Sequence, residues 1–171
     1  MTKCIVEPIS RKELRLMAKL IRKIEGTDDK LFFDIVHFLE VTLPQIDDTF
    51  IFRVLDRASM GECHGLTYPD RNEIQIREDV YLRASEGIGR DRLTMSHELL
   101  HLLRHEKKNV SFARVGEGNI VPYRDPEWQA DAFGGELLVP YHLVGGLSAE
   151  EISKYCGVSL SAASYQLSKY Q

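Results

Sequence analysis

Long apolar runs are missing from this chain. No stretch of about eighteen consecutive apolar residues occurs in its 171 residues, so no membrane-spanning helix is expected. The segment from Met1 to Lys12 also lacks the apolar core of a secretory leader, which points to a protein working in the cytoplasm. Cysteine is scarce: Cys4, Cys63 and Cys156 are an odd set, far apart, with no C-x-x-C pair, so a disulfide framework is not expected. Cys63 and His64 are adjacent. Neighbouring residues of a strand project to opposite faces, so both read as structural rather than as ligands of one ion. Positive charge is not in excess either. The net charge is -4, opposite in sign to a protein that grips nucleic acid with its whole surface. Internal repeats and low-complexity tracts are absent. What remains is 43% hydrophobic and 28% charged residues, enough for one ordinary core without covalent staples.

Local signals divide the chain. Ser10 followed by Glu13 is a capping-box signature, and Leu14, Met17, Ala18, Ile21 and Ile24 recur at helical spacing until Gly26. Arg11, Lys12, Arg15, Lys19, Arg22 and Lys23 of that helix are expected to form a solvated face, in preference to a docking surface for an acidic partner. A second helix is expected from about Asp28 to Glu40, with Leu31, Ile35, Phe38 and Leu39 inward and Pro44 closing the segment. Thr49–Leu55, Cys63–Tyr68 and Glu73–Arg77 read as strands, the last two joined by a turn at Pro69-Asp70-Arg71-Asn72. A short helix over Val80–Ala84 precedes the breakers Gly87 and Gly89. A longer one begins near Arg90 or Asp91 and reaches about His105. After a loop with Gly116, Gly118 and Pro122, another helix starts at Asp125-Pro126 and ends before Pro140.

From Leu147 on, Ser148 and Gly157-Val158-Ser159 punctuate two short helices that resemble a helix-turn-helix. Glu150 and Glu151 balance Lys154 and Lys169, so packing or substrate docking is expected of this tail in preference to DNA binding. The fold class expected is α+β, with a small antiparallel sheet of about three strands packed on a helical bundle in residues 1–146. A small helix-turn-helix-like tail fills residues 147–171.

Chemistry concentrates at His97-Glu98-Leu99-Leu100-His101. Residues four apart lie on one helical face, so the two imidazoles can converge on one ion at zinc's bond lengths. Glu98 lies about 100° around the helix, near enough to reach a water on that ion without becoming a ligand. Met95, Leu99, Leu102 and Leu103 fall on the opposite side. A catalytic zinc needs a third protein ligand and an open position. Glu127, in the first turn of the helix that Asp125 caps, is the candidate, with Glu117 and Asp125 open as alternatives. Asp131, one turn beyond Glu127, is the expected acceptor for the outer N–H of a ligand histidine. His105 is read as a surface or supporting histidine. Gly134-Gly135 cost about 1 kcal/mol each inside a helix, which close approach to the histidine helix would offset; a helix break is the other reading. Tyr123, Arg124, Tyr141 and His142 are candidates to stabilise an oxyanion.

These residues resemble the ImmA/IrrE metallopeptidases. Besides the H-E-x-x-H segment, Glu127, Ala130, Asp131, Phe133, Glu136, Leu137, Leu138 and Pro140 match the family's downstream pattern, and Gly65-Leu66-Thr67, Glu73-Ile74 and Arg92-Leu93-Thr94 stand in the expected places. The resemblance implies a zincin-like, gluzincin-type fold. It implies one zinc per chain held by His97, His101 and Glu127, with Glu98 as catalytic base. The implied activity is site-specific cleavage of a helix-turn-helix repressor of the XRE type, controlling a stress response, mobile element or prophage. The alternative is a non-catalytic zinc-binding regulator, or a toxin-antitoxin component, acting by protein or DNA binding. The chain departs from the family at Leu100, where many relatives carry Gly or Ala and a larger side chain is expected to narrow the cleft, and at Gly134-Gly135, where Ala-Ala is usual.

Overall fold

The computed structural model describes residues 2–105, 110–114 and 120–170. The loop expected around Gly116 and Gly118, and the alternative ligand Glu117, lie outside the described residues.

Helix α1 spans Arg11–Ile24 and carries the expected cap: the Glu13 N–H donates to the Ser10 hydroxyl at 3.2 Å and the Ser10 N–H to the Glu13 carboxylate at 2.8 Å. Gly26, at φ +70°, follows its end. Leu14 and Ala18 are buried, whereas Ile24 is exposed, so the apolar stripe is narrower than the spacing suggests. The basic residues are not all solvated, which corrects the sequence reading. Arg22 is 1% exposed and donates to the carbonyls of Leu137, Thr27, Lys30 and Leu31. Burial pulls its pKa down to about 10, still charged at neutral pH. Arg11 and Arg15 reach the buried carboxylate of Glu136, at 3.4 Å and 2.8 Å. The long guanidinium side chains thus cap carbonyls and pair with a carboxylate across a helix interface, which single-helix periodicity does not foresee.

The second helical segment begins later and ends later than expected. Asp34 caps α2 (Ile35–His37), which continues through a π-helical turn (Phe38–Thr42) into α3 (Leu43–Ile46). Pro44 does not close it. Bonds running five residues back, such as Leu43 N–H to Phe38 C=O, accommodate a residue that has no N–H to offer.

Strands β2 (Ile51–Leu55), β3 (Gly65–Tyr68) and β4 (Glu73–Arg77) form the expected small sheet in the order β2-β4-β3. The sheet is mixed rather than wholly antiparallel. β3 and β4 are an antiparallel hairpin, but β2 runs parallel to β4, because the chain crosses over through α4 (Arg57–Met60) before entering β3. Asn72, at φ 52°, turns the hairpin in a conformation that asparagine tolerates. Ile74 and Ile76 of the central strand are fully buried. Strand β1 (Thr2–Val6) pairs antiparallel with β5 (Val110–Arg114) in a second, two-stranded sheet that the sequence reading did not contain.

Helices α5 (Glu78–Ser85), α6 (Gly89–Arg104) and α7 (Pro126–Leu138) follow the sequence reading closely. So do α8 (Ala149–Cys156) and α9 (Leu160–Ser168). The α8–α9 tail contributes Ile152, Cys156, Val158 and Ala163 to the same core as the other helices. Arg92 of α6 ties into it by donating to the carbonyls of Cys156 and Gly157, and to Phe33 at 2.6 Å. Helix α7 runs unbroken through Gly134 and Gly135. A Cβ on Gly134 would sit 2.9 Å from Leu93 of α6, and one on Gly135 2.5 Å from Gln166 of α9. Close approach to the histidine helix therefore explains the first glycine and packing of the tail the second. No helix of the described residues is long and apolar enough to cross a membrane.

Replacing Arg22 with methionine keeps the volume but strands buried carbonyls. It should cost about 3 kcal/mol of stability, since each unsatisfied group costs about 1–3 kcal/mol. A urea unfolding curve checks this; an unchanged midpoint would show the guanidinium is not the tie between α1 and α7.

Candidate metal centre

Helices α6 and α7 cross so that one turn of each faces the other. His97 and His101 project from α6 with their Nε2 atoms 2.8 Å apart. Glu127 enters from the first turn of α7, its carboxylate oxygens 3.2 Å from His97 Nε2 and 3.5 Å from His101 Nε2. Among the described residues, these three form the group able to hold a metal ion, each offering a ligand atom within 4.8 Å of the others. Asp125 is not part of it: its carboxylate accepts the Glu127 N–H at 2.9 Å as the helix cap. Asp131 lies where the spacing placed it, with Oδ1 2.7 Å from His97 Nδ1. His97 and His101 thus spend their outer nitrogens on neighbours and direct Nε2 inward. Two imidazole nitrogens and one carboxylate, open on the carboxylate side, fit zinc.

The electrostatics of the two histidines are opposite. Burial disfavours charge on His97, but hydrogen bonds to Asp131 and Glu127 outweigh it and raise the pKa to about 10. Burial, followed by the positive charge of His97, lowers His101 to about 4. Glu127 is lowered, first by its bond to His97. Protons and a metal ion compete for the same lone pairs here.

Glu98 is buried beside this cluster. Its carboxylate accepts a hydrogen bond from the Thr67 hydroxyl at 2.6 Å. Burial raises its pKa, with the Thr67 bond opposing. Gly65 gives it room: a Cβ there would lie 2.6 Å from Glu98 Cγ. Clefts of about 380 and 350 Å³ open on either side, both lined by Gly65, His97 and Glu98.

Several expectations are corrected. Leu100 is fully buried in the core and does not narrow the cleft, because its position on α6 faces away from the imidazoles. Of the two readings of His105, surface or supporting, the structure has the second: it is buried, with Nδ1 2.7 Å from His101 Nδ1. Tyr123, Arg124, Tyr141 and His142 line neither cleft. Tyr141 packs on Tyr170 at 5.0 Å and His142 bonds the Asp28 carbonyl at 2.7 Å. The polar groups that do line the first cleft include His64, Arg90 and Thr94. Cys63 is exposed, and among the described residues it belongs to no metal-holding group with His64. Thr67 and Gly65 were visible in sequence only as family-like residues, and Gln129, described below, gave no signal.

The family model for the IrrE N-terminal-like domain, peptidase family M78, matches residues 57–168. That span contains both helices of the cluster, the β3–β4 hairpin and the tail. No curated protein and no solved structure matches the chain.

Purified protein should hold about one zinc per chain. Unchanged metal content in His97→Ala and Glu127→Ala would show that the ion sits elsewhere. Because a proton must leave His97, the apparent zinc affinity should rise about tenfold per unit between about pH 6 and about pH 9. A flat profile, read by chelator competition, would show that His97 is not held protonated by Asp131 and Glu127 in the zinc-free protein.

Proposed function

Since the chain belongs to the IrrE N-terminal-like peptidase family, we propose that it is a zinc-dependent endopeptidase that uses His97, His101 and Glu127 as ligands and Glu98 as catalytic base. The observation that carries this reading is the buried carboxylate of Glu98, held by Thr67 and given space by Gly65, one residue from the first imidazole. When bound, zinc supplies a polarising charge and a water of lowered pKa. Glu98 takes the proton of the attacking water and delivers it to the leaving amine. Its raised pKa suits a group that must both accept and release a proton. Thr67 orients the carboxylate, and Asp131 orients the His97 ring. His64 and Arg90 line the cleft as donors for charge developing on the scissile carbonyl.

A protein strand is the substrate that this surface suits. β3 is an edge strand of its sheet and contributes Gly65 to both clefts, so an extended chain can add beside it through backbone bonds. A groove of about 650 Å³ between α7 and α9 continues from the first cleft, sharing Arg90, Leu93 and Asp131 with it and lined further by Trp128, Val158 and Tyr165. That continuity supports reading the tail, residues 147–171, as a substrate-docking element in preference to a DNA-binding one. The family resemblance supports a helix-turn-helix repressor in the cytoplasm as the substrate, its cleavage releasing a stress response, mobile element or prophage.

Glu98→Gln should keep its zinc and lose about a hundredfold to ten-thousandfold of proteolysis. Gly65→Ala, which pushes Glu98 from its place, should do the same in milder form. Comparative proteomics of cells producing wild type or Glu98→Gln identifies the cleaved protein. Identical proteomes from the two would leave a zinc-binding regulator and sink the peptidase.

A further inference from the structure

Behind His101 lies a chain of neutral groups. His101 Nδ1 faces His105 Nδ1 at 2.7 Å, and His105 Nε2 faces the Gln129 side-chain oxygen at 3.0 Å. The Gln129 amide nitrogen donates to two backbone carbonyls, Glu7 at 2.9 Å and Tyr123 at 2.8 Å. Gln129 is fully buried and His105 nearly so.

The protons along this chain follow in one direction. Carbonyl oxygens only accept, so the end of Gln129 that meets Glu7 and Tyr123 must be its NH₂. Its oxygen therefore faces His105 and must receive a proton from His105 Nε2. Both ring nitrogens of His105 are taken by neutral partners, so nothing holds a second proton on the ring, and Nδ1 keeps a bare lone pair. That lone pair can only accept from His101 Nδ1–H. His101 is thereby left with Nε2 unprotonated, on the side of His97 and Glu127.

We propose that His105 and Gln129 form a proton-ordering relay, anchored on the backbone at Glu7 and Tyr123, that fixes His101 as the Nδ1–H tautomer and so readies Nε2 as a metal ligand. The two are positioning residues: they touch neither ion nor substrate. The relay rests on the assignment of His101 as a ligand made above, but not on proteolysis. It gives His105 a role apart from ligation, and it makes the segments before α1 and before α7 part of the metal centre. Gln129 lies between Glu127 and Asp131 in α7, so one helix supplies a ligand, the acceptor behind one histidine and the anchor behind the other.

Two measurements test it. In the zinc-free wild type, ring-nitrogen NMR should show His105 protonated at Nε2 and bare at Nδ1, with the His101 proton at Nδ1. A His105 ring protonated at Nδ1 overturns the relay. His105→Phe keeps the ring volume and removes the acceptor; chelator competition should show zinc bound about tenfold to a hundredfold more weakly, with His97 and Glu127 intact. Unchanged affinity in a folded His105→Phe protein also overturns it. Should that variant fail to fold, the wild-type NMR decides alone. A wild type that binds no zinc would sink the ligand assignment, whereas normal zinc in both proteins sinks only the relay.

Discussion

The crossing of α6 and α7 is the constraint on which the rest depends. Neither helix carries a complete donor set: α6 brings two imidazoles, α7 a carboxylate. They meet only if the backbones come close, and at Gly134 they do: a Cβ there would lie 2.9 Å from the tip of the Leu93 side chain. The cost of a helical glycine is about 1 kcal/mol, and what it gains here is contact without displacement of the Leu93 side chain. Helix α7 can hold this position because it is gripped from several sides. Gln129, Ala130, Ala132, Phe133, Gly134, Glu136, Leu137 and Leu138 are all buried, which leaves it little freedom to shift relative to α6.

Much of that grip is polar, and it acts at helix ends and turns. Arg22 gathers carbonyls from the end of α7 and the turn after α1, and Arg92 gathers carbonyls from the α8 terminus and Phe33. Glu136 takes Arg15 and the Tyr170 hydroxyl at 2.8 Å and 3.1 Å. Burying charge is costly, and apolar replacements of equal shape are often no less stable. What the guanidiniums add is direction. Apolar contact between smooth helices leaves sliding nearly free, whereas a fork bonded to named carbonyls allows one register. For a site whose donor atoms must converge within a few tenths of an ångström, register matters more than total stability.

Local signals made half of this readable in the sequence. The spacing of His97 with His101 and of Glu127 with Asp131 reports helical faces directly, and the caps at Ser10, Asp125 and Ser148 mark helix starts by their own side chains. The pairing of β1 with β5 was not readable, because each strand's partner lies more than a hundred residues away and neither is long. The parallel run of β2 against β4 depends on a crossover that no periodicity encodes. Arg22 sits among residues that look solvated, and its burial follows from where α7 ends rather than from its own neighbours. Gln129 was invisible for a similar reason. An amide carries no preference for a metal centre, and its function there comes from two carbonyls that fix which of its ends faces His105.

The histidines are backed by unlike groups, and the positions of those groups explain why. Asp131 stands at the mouth of the cleft with its side chain 70% exposed, where water screens its charge. Gln129 is 0% exposed, beneath the ends of β1 and the turn before α7. A carboxylate in the second place would carry a desolvation penalty of several kcal/mol. It would also add a further negative charge to a centre that already has Glu98, Glu127 and Asp131 around it. Negative charge beside a cation's water raises the pKa of that water, which works against the acidity a hydrolytic site requires. Neutral backing of His101 orients the ring without that cost. The fold thus places its charge behind His97, where the backing group is exposed, and uses an imidazole and an amide behind His101, where the backing groups are buried.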